Sequence, residues 1–200
     1  MLRKEEFRAK DMDAAMEIAV SMFNISSEKI FISVLEETAE DMLVEALVDI
    51  NLVLEGKRYI DSILSNFGFD YSIEASSTAN EGEIFYNITS SENSLLIGFK
   101  GRTLDALQNL VRDLLKSYTQ GKVLVTIDIG GYREKRKNQL EIVATKVAKE
   151  VAKTKIEVKL DPMNSFERRI VHAKLSDWRD VVTESEGNGD NRAIVIKPRN

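Results

Sequence analysis

The sequence predicts an α+β protein: three small α/β-sandwich-type domains in tandem, at residues 1–54, 55–130 and 131–200. Three observations lead there. A length of 200 residues suits two to three small domains or one large one. Short alternating apolar runs, the mark of strands, are interleaved with stretches of i, i+3, i+4 periodicity, the mark of helices. Gly56 and the Gly130–Gly131 pair punctuate the chain between such groups of elements.

In the first unit, "EEFRAK" alternates as a strand. "DMDAAMEIAVSMFN" then places Met12, Ala15, Met16, Ala19, Val20 and Phe23 on one helical face, with Asp11 as N-cap. "ISSEKIFISVLEE" alternates again, with Ile30, Ile32 and Val34 on one side. "TAEDMLVEALVDINLVLEG" fits a helix from Ala39 or a strand near Ala46–Leu52, and the strand is preferred.

In the second unit, "KRYIDSILSNFG" lines up Tyr59, Ile60, Ile63, Leu64 and Phe67, and Gly68 stops the helix. "FDYSIEAS" and "GEIFYNITS" read as strands joined through "STANEG" as a hairpin. A short helix "SENSLLI", a Gly-x-x-Gly, a long helix "RTLDALQNLVRDLLKSYTQ" and a strand "KVLVTIDI" follow. The third unit opens on a helix whose stripe is Leu140, Val143, Ala144, Val147, Ala148 and Val151. It continues with a strand "KIEVKLDPM", a helix capped at Asn164 or Ser165, and strands "DVVTESEG" and "RAIVIKPR" around the hairpin loop "EGNGDN".

Composition removes several function classes. No apolar run approaches the roughly 20 residues of a membrane span. The acid-bearing N-terminus does not read as a signal peptide, so a cytoplasmic location is expected. The absence of cysteine excludes disulfides and thiolate metal sites, and the single histidine, His172, puts most metal and triad chemistry out of reach. No cofactor, metal or catalytic residue is expected. No paired carboxylates stand out among the many acids, so a hydrolase is not favoured. Charge is divided unevenly: residues 1–97 hold 7 Lys/Arg and 19 Asp/Glu, whereas residues 98–200 hold 21 and 14. The halves carry −12 and +7, an asymmetry that points the basic half toward a polyanion.

The stretch "LLIGFKGRTLDAL" sets Gly98 and Gly101 around Phe99 and Lys100, with Arg102 opening the next helix. One reading is a tight corner between helices. The other is a backbone bared for phosphate: glycines allow close approach, the following helix aims N–H groups and its positive end outward, and Lys100 and Arg102 add charge. A Walker loop is excluded, because no Gly-Lys-Ser/Thr sits at the needed spacing.

The order helix-strand-strand-helix-"IGFKG"-helix-strand resembles the type II KH domain, whose Gly-x-x-Gly loop clamps about four nucleotides of backbone. "LLIGFKGRTLDALQNLV" is similar to the KH domain of the Jag family, also called KhpB or SpoIIIJ-associated proteins. There, lysine or arginine usually fills both loop positions; here Phe99 occupies the first. Its ring either stacks on a base or leaves phosphate affinity weakened. "DPMNSFERRIVHAKLSD", "VVTESEG" and "IVIKPR" resemble the same family's R3H domain, named for an Arg-x-x-x-His spacing that falls on Arg168 and His172. At i, i+4 these share a helix face, with Arg169 beside them. "GYREKRKNQL" adds Arg133, Lys135, Arg136 and Lys137 as candidate backbone contacts. The first unit is similar to the small Jag N-terminal domain in its β-α-β-β order, but lacks the Gly- and Phe-rich loop expected after Glu37.

The resemblance implies a non-enzymatic, cytoplasmic, single-stranded RNA-binding protein, a post-transcriptional regulator or RNA chaperone linked to bacterial cell elongation and division. Its RNA-binding residues would be Gly98, Phe99, Lys100, Gly101 and Arg102 in the loop, and Arg168, Arg169 and His172 in the third unit. Implied partners are a second small KH-domain protein or a second copy of the chain. Two alternatives compete: single-stranded DNA as ligand, and a protein-interaction adaptor that uses these folds for docking.

Overall fold

The computed structural model describes residues 2–78 and 83–199, so residues 79–82 of the expected "STANEG" loop lie outside it. The chain forms two compact units, Met1–Gly130 and Gly131–Asn200. Among the described residues, no helix is long and apolar enough to cross a membrane.

The first unit starts with strand β1 (Lys4–Ala9), helix α1 (Met12–Phe23) and strands β2 (Ile30–Glu37) and β3 (Met42–Val48). The three strands form an antiparallel sheet in the order β1-β3-β2. Val44, Ala46 and Val48 of β3 are buried and pair with Val34, Ile32 and Ile30, so strict alternation delivers one apolar face. That face meets Ala15 of α1. Asp11 caps α1 as expected, its carboxylate accepting the Ala14 N–H at 2.8 Å.

The strand expected near Ala46–Leu52 runs four residues earlier, and the helix expected to begin after Gly56 begins at Leu52 as α2 (Leu52–Leu64). The cause is Asn51, whose side-chain oxygen accepts the Leu54 N–H at 3.1 Å. A side-chain N-cap there outweighs the strand signal of Leu52 and Val53. The boundary expected between residues 54 and 55 therefore falls inside α2.

After α2 come β4 (Tyr71–Ser77), β5 (Glu83–Ser90), α3 (Asn93–Ile97), α4 (Arg102–Ser117) and β6 (Leu124–Ile129). Their sheet is ordered β4-β5-β6, with β5 antiparallel to β4 and parallel to β6. A parallel neighbour requires a crossover, which α3 and α4 supply. Tyr86, Ile88, Ile127 and Ile129 on the sheet and Leu104, Leu107, Val111 and Leu115 on α4 are all buried. α2 crosses this layer at Gly56, where a Cβ would lie 2.0 Å from the Tyr86 hydroxyl oxygen. That glycine is a packing residue. Phe67, expected on the α2 stripe, is instead exposed and stacks on Phe69 with ring centres 5.6 Å apart.

Arg3 stands at the centre of the joint between the two halves of this unit. The backbone N–H of Arg3 donates to Tyr118 O at 3.0 Å, and its carbonyl accepts the Val48 N–H at 2.9 Å. Its guanidinium donates to Phe23 O at 3.0 Å, Met22 O at 3.3 Å and Ser117 O at 3.2 Å. These are last-turn carbonyls of α1 and α4, which have no intrahelical donor. Lys29 supports the joint by donating to Tyr118 Oη at 3.1 Å and to the Glu55 carboxylate.

The second unit contains α5 (Tyr132–Thr154), β7 (Val158–Lys159), α6 (Ser165–Leu175), β8 (Val181–Glu186) and β9 (Ala193–Pro198), with an antiparallel sheet ordered β7-β9-β8. Leu140, Ala144, Ala148 and Val151 of α5, with Val171 and Leu175 of α6, pack on Ile194 and Ile196 of the central strand. Val143, expected on the α5 stripe, is exposed.

Replacing Arg3 with alanine should destabilise the protein by about 2 kcal/mol, from three lost charge-assisted bonds at helix C-termini. Lysine should recover little, because an ammonium cannot fork across two helix ends. Urea unfolding of both variants checks this.

Candidate nucleic-acid interface

The Gly-x-x-Gly segment is a short 3₁₀ turn, Phe99–Gly101, between α3 and α4. Three of its residues have positive φ: Gly98 at 68°, Lys100 at 51° and Gly101 at 82°. The Gly98 N–H donates to Ser94 O at 3.0 Å and the Gly101 N–H to Gly98 O at 3.3 Å, which closes the turn on itself. At Gly98 a Cβ would sit 2.1 Å from Thr103 Oγ1. The backbone therefore demands both glycines irrespective of any ligand. It does not demand Lys100, a residue with a Cβ in a conformation that costs about 1–2 kcal/mol. Lys155, the C-cap of α5, adopts the same conformation at φ 58°.

The turn leads directly into the 16-residue helix α4, whose N-cap, Gly101, carries no side-chain cap. Lys100 and exposed Arg102 stand at this positive helix end. Phe99 is 72 % exposed. The Lys100 ammonium lies 5.3 Å from the centre of its ring. The loop thus brings together all five residues singled out from the sequence, with two cations and an open ring on one turn.

In the second unit, Arg168 and His172 occupy successive turns of α6. The Arg168 guanidinium donates to Met163 O at 2.8 Å. His172 bridges to β8, with Nδ1 2.6 Å from Thr183 Oγ1 and Nε2 3.1 Å from Ser185 Oγ. Both ring nitrogens are engaged, so this imidazole pins helix to sheet. Arg169 is exposed.

Residues 138–198 match the R3H domain family. The chain is 31 % identical to the RNA-binding protein KhpB of Bacillus subtilis, with 98 % of each chain covered. The chain belongs to the KhpB family. It is also 36 % identical to the RNA-binding protein KhpB of Clostridium symbiosum, over 80 % of this chain and 67 % of that one. A KhpB of Streptococcus pneumoniae is 32 % identical, over 76 % of this chain and 46 % of its own length. The resemblance drawn from "ERRIVH" and its flanking strands is therefore correct for the family and for the R3H segment.

Within this KhpB-family chain, the basic run at the start of α5 divides by role. Lys135 and Lys137 are exposed and Arg133 is half-buried. Arg136 turns inward, its Nε donating to Glu167 Oε1 at 2.6 Å. Glu167 is only 5 % exposed. It also accepts the Asn164 N–H at 3.2 Å, while Asn164 Oδ1 accepts the Glu167 N–H at 2.9 Å, a capping box that starts α6. Arg136 and Glu167 thus join α5 to the R3H helix. Sequence reasoning missed Glu167, although Asn-x-x-Glu before an apolar run was the available signal.

Two outcomes follow for this unit. Glu167→Gln should cost about 3 kcal/mol, since it strands a largely buried guanidinium. Desolvation, with a contribution from Arg168, holds His172 below its ordinary value of 6.5. The unfolded chain then binds the extra proton, so stability should fall as pH drops below about 6.5. His172→Gln should flatten that slope. Urea unfolding followed by fluorescence of the sole tryptophan, Trp178, at pH values from about 7.5 to 5.5 reads both effects.

Proposed function

We propose that this chain binds single-stranded RNA through its glycine-bracketed turn, assisted by the exposed cations of its R3H unit. The observation that carries the reading is Lys100, a lysine held at φ 51° between two positive-φ glycines at the mouth of α4. A left-handed lysine also closes α5 at Lys155, but Lys100 stands beside Arg102 at the positive end of a 16-residue helix. A phosphate seated at the turn would meet the Lys100 and Arg102 side chains and the positive end of α4. The arrangement of α2, β4, β5, α3, α4 and β6 around the turn supports its assignment as a type II KH domain, a module that holds about four nucleotides of backbone. The names of the KhpB relatives support RNA over DNA.

Arg169, Lys135 and Lys137 extend the cationic surface on the second unit, with Arg168 and His172 as candidate contacts. Two modules on one chain bind a strand more tightly than either alone. In the cell, the reading places the protein in the cytoplasm as a post-transcriptional regulator of elongation and division. The proposed partner is a small KH protein or a second copy of the chain. The adaptor reading rests on the acidity of residues 1–97.

Lys100→Gly separates binding from structure. It should stabilise the protein by up to about 1 kcal/mol, by relieving the left-handed lysine. It should also weaken binding to an unstructured RNA and make the log-affinity versus log-salt slope shallower by about 0.7, the value for one single-strand phosphate contact. Fluorescence anisotropy across a salt series, with thermal unfolding alongside, measures both. Unchanged affinity and slope would sink the proposal.

A further inference from the structure

We infer that Phe99 is a nucleobase-stacking subsite, so that the turn holds one base as well as the phosphates beside it. The inference rests on the RNA-binding reading of the same turn. Three features carry it. First, the ring is 72 % exposed on a turn whose neighbouring residues, Leu96, Gly101 and Leu104, are buried. The turn is well anchored, and Phe99 stays outside its packing. Second, the Lys100 ammonium lies 5.3 Å from the centre of the Phe99 ring. That separation is within cation–π range, and the ring remains solvent-exposed. Third, the surroundings select the occupant. Lys100 and Arg102 flank the ring at the positive end of α4, which favours a polyanion over an apolar protein surface.

A single-stranded nucleic acid offers a flat aromatic face one nucleotide away from the phosphate that Lys100 would hold. Every base has such a face, so this subsite grips without reading sequence. The Gly98 N–H bond to Ser94 O and the Gly101 N–H bond to Gly98 O hold the backbone on both sides of Phe99, so less ordering of the main chain remains for binding. Phe99 thus replaces a phosphate contact with a base contact. The expected signature is an affinity loss on removing the ring without a change in salt dependence.

The full chain would be titrated by anisotropy with a fluorescein-labelled, mixed-sequence single-stranded RNA of about 12 nucleotides, and with the same backbone lacking its bases. Phe99→Ala and Phe99→Leu should each weaken binding to the base-containing strand by about 5- to 100-fold. Their salt slope should match that of the unaltered protein. Phe99→Trp should bind within about twofold of it or more tightly. On the abasic strand all four proteins should be alike. The proposal is overturned if Phe99→Leu binds as the unaltered protein does, if Phe99→Ala loses as much on the abasic strand, or if Phe99→Lys binds the base-containing strand more tightly than phenylalanine. Phe99 is exposed, so loss of fold does not confound these variants. The underlying reading fails separately if Lys100→Gly and Arg102→Ala leave both affinity and salt slope untouched, whatever Phe99 does.

Discussion

Helix α4 buries Leu104, Leu107, Val111 and Leu115 along one side, and that stripe dictates where both of its ends lie. At its C-terminus, the carbonyls of Ser117 and Tyr118 are taken by the side chain and backbone of Arg3. At its N-terminus, Gly101 hands over from the turn that presents Lys100 and Phe99. The loop at one end is aimed by the same packing that docks the first sheet at the other. The placement of the turn is therefore a property of the whole first unit, and local glycine chemistry alone does not account for it.

Much of this was legible in the sequence because the responsible forces are local. Alternation in β1, β2 and β5 and the caps at Asp11 and Asn164 act within a few residues, and each element appears where those patterns put it. The misplaced stretch is the one where two local signals compete. Residues 42–54 are apolar at both strand and helix spacing, and the decision falls to the side-chain cap of Asn51. Phe67 and Val143 fit helical stripes in the sequence yet face water, because no partner layer reaches them. Periodicity states which side a residue is on, but not whether anything covers that side.

The site was legible to a different degree. The glycine pair, the cations around it and the Arg168/His172 spacing could be read directly. Their internal commitments could not, because these are long-range: His172 bonds to Thr183 and Ser185, and Arg136 bonds to Glu167, 31 residues away. A charge run seen in sequence is a set of equivalent cations. In the fold, Arg136 is committed to a buried carboxylate, Arg133 is half-buried, and Lys135 and Lys137 stay exposed. Arg3 was invisible for the same reason, since nothing near it in the chain shows that two helix ends converge there.

The Arg3 joint also bears on the order of events during synthesis. Its guanidinium meets Ser117 O across 114 residues of chain, while its contacts to Met22 and Phe23 are available almost at once. Strands β1 to β3 and helix α1 can thus assemble early, but their docking site, the C-terminal end of α4, does not exist until residue 118 has left the ribosome. Contacts of such sequence separation form late. The first sheet consequently spends that interval with Phe31, exposed even in the finished protein, and its unpaired strand edges open to the surroundings. The abundance of acidic residues in this half of the chain, 19 within residues 1–97, would then act as protection, keeping a waiting intermediate soluble through charge repulsion.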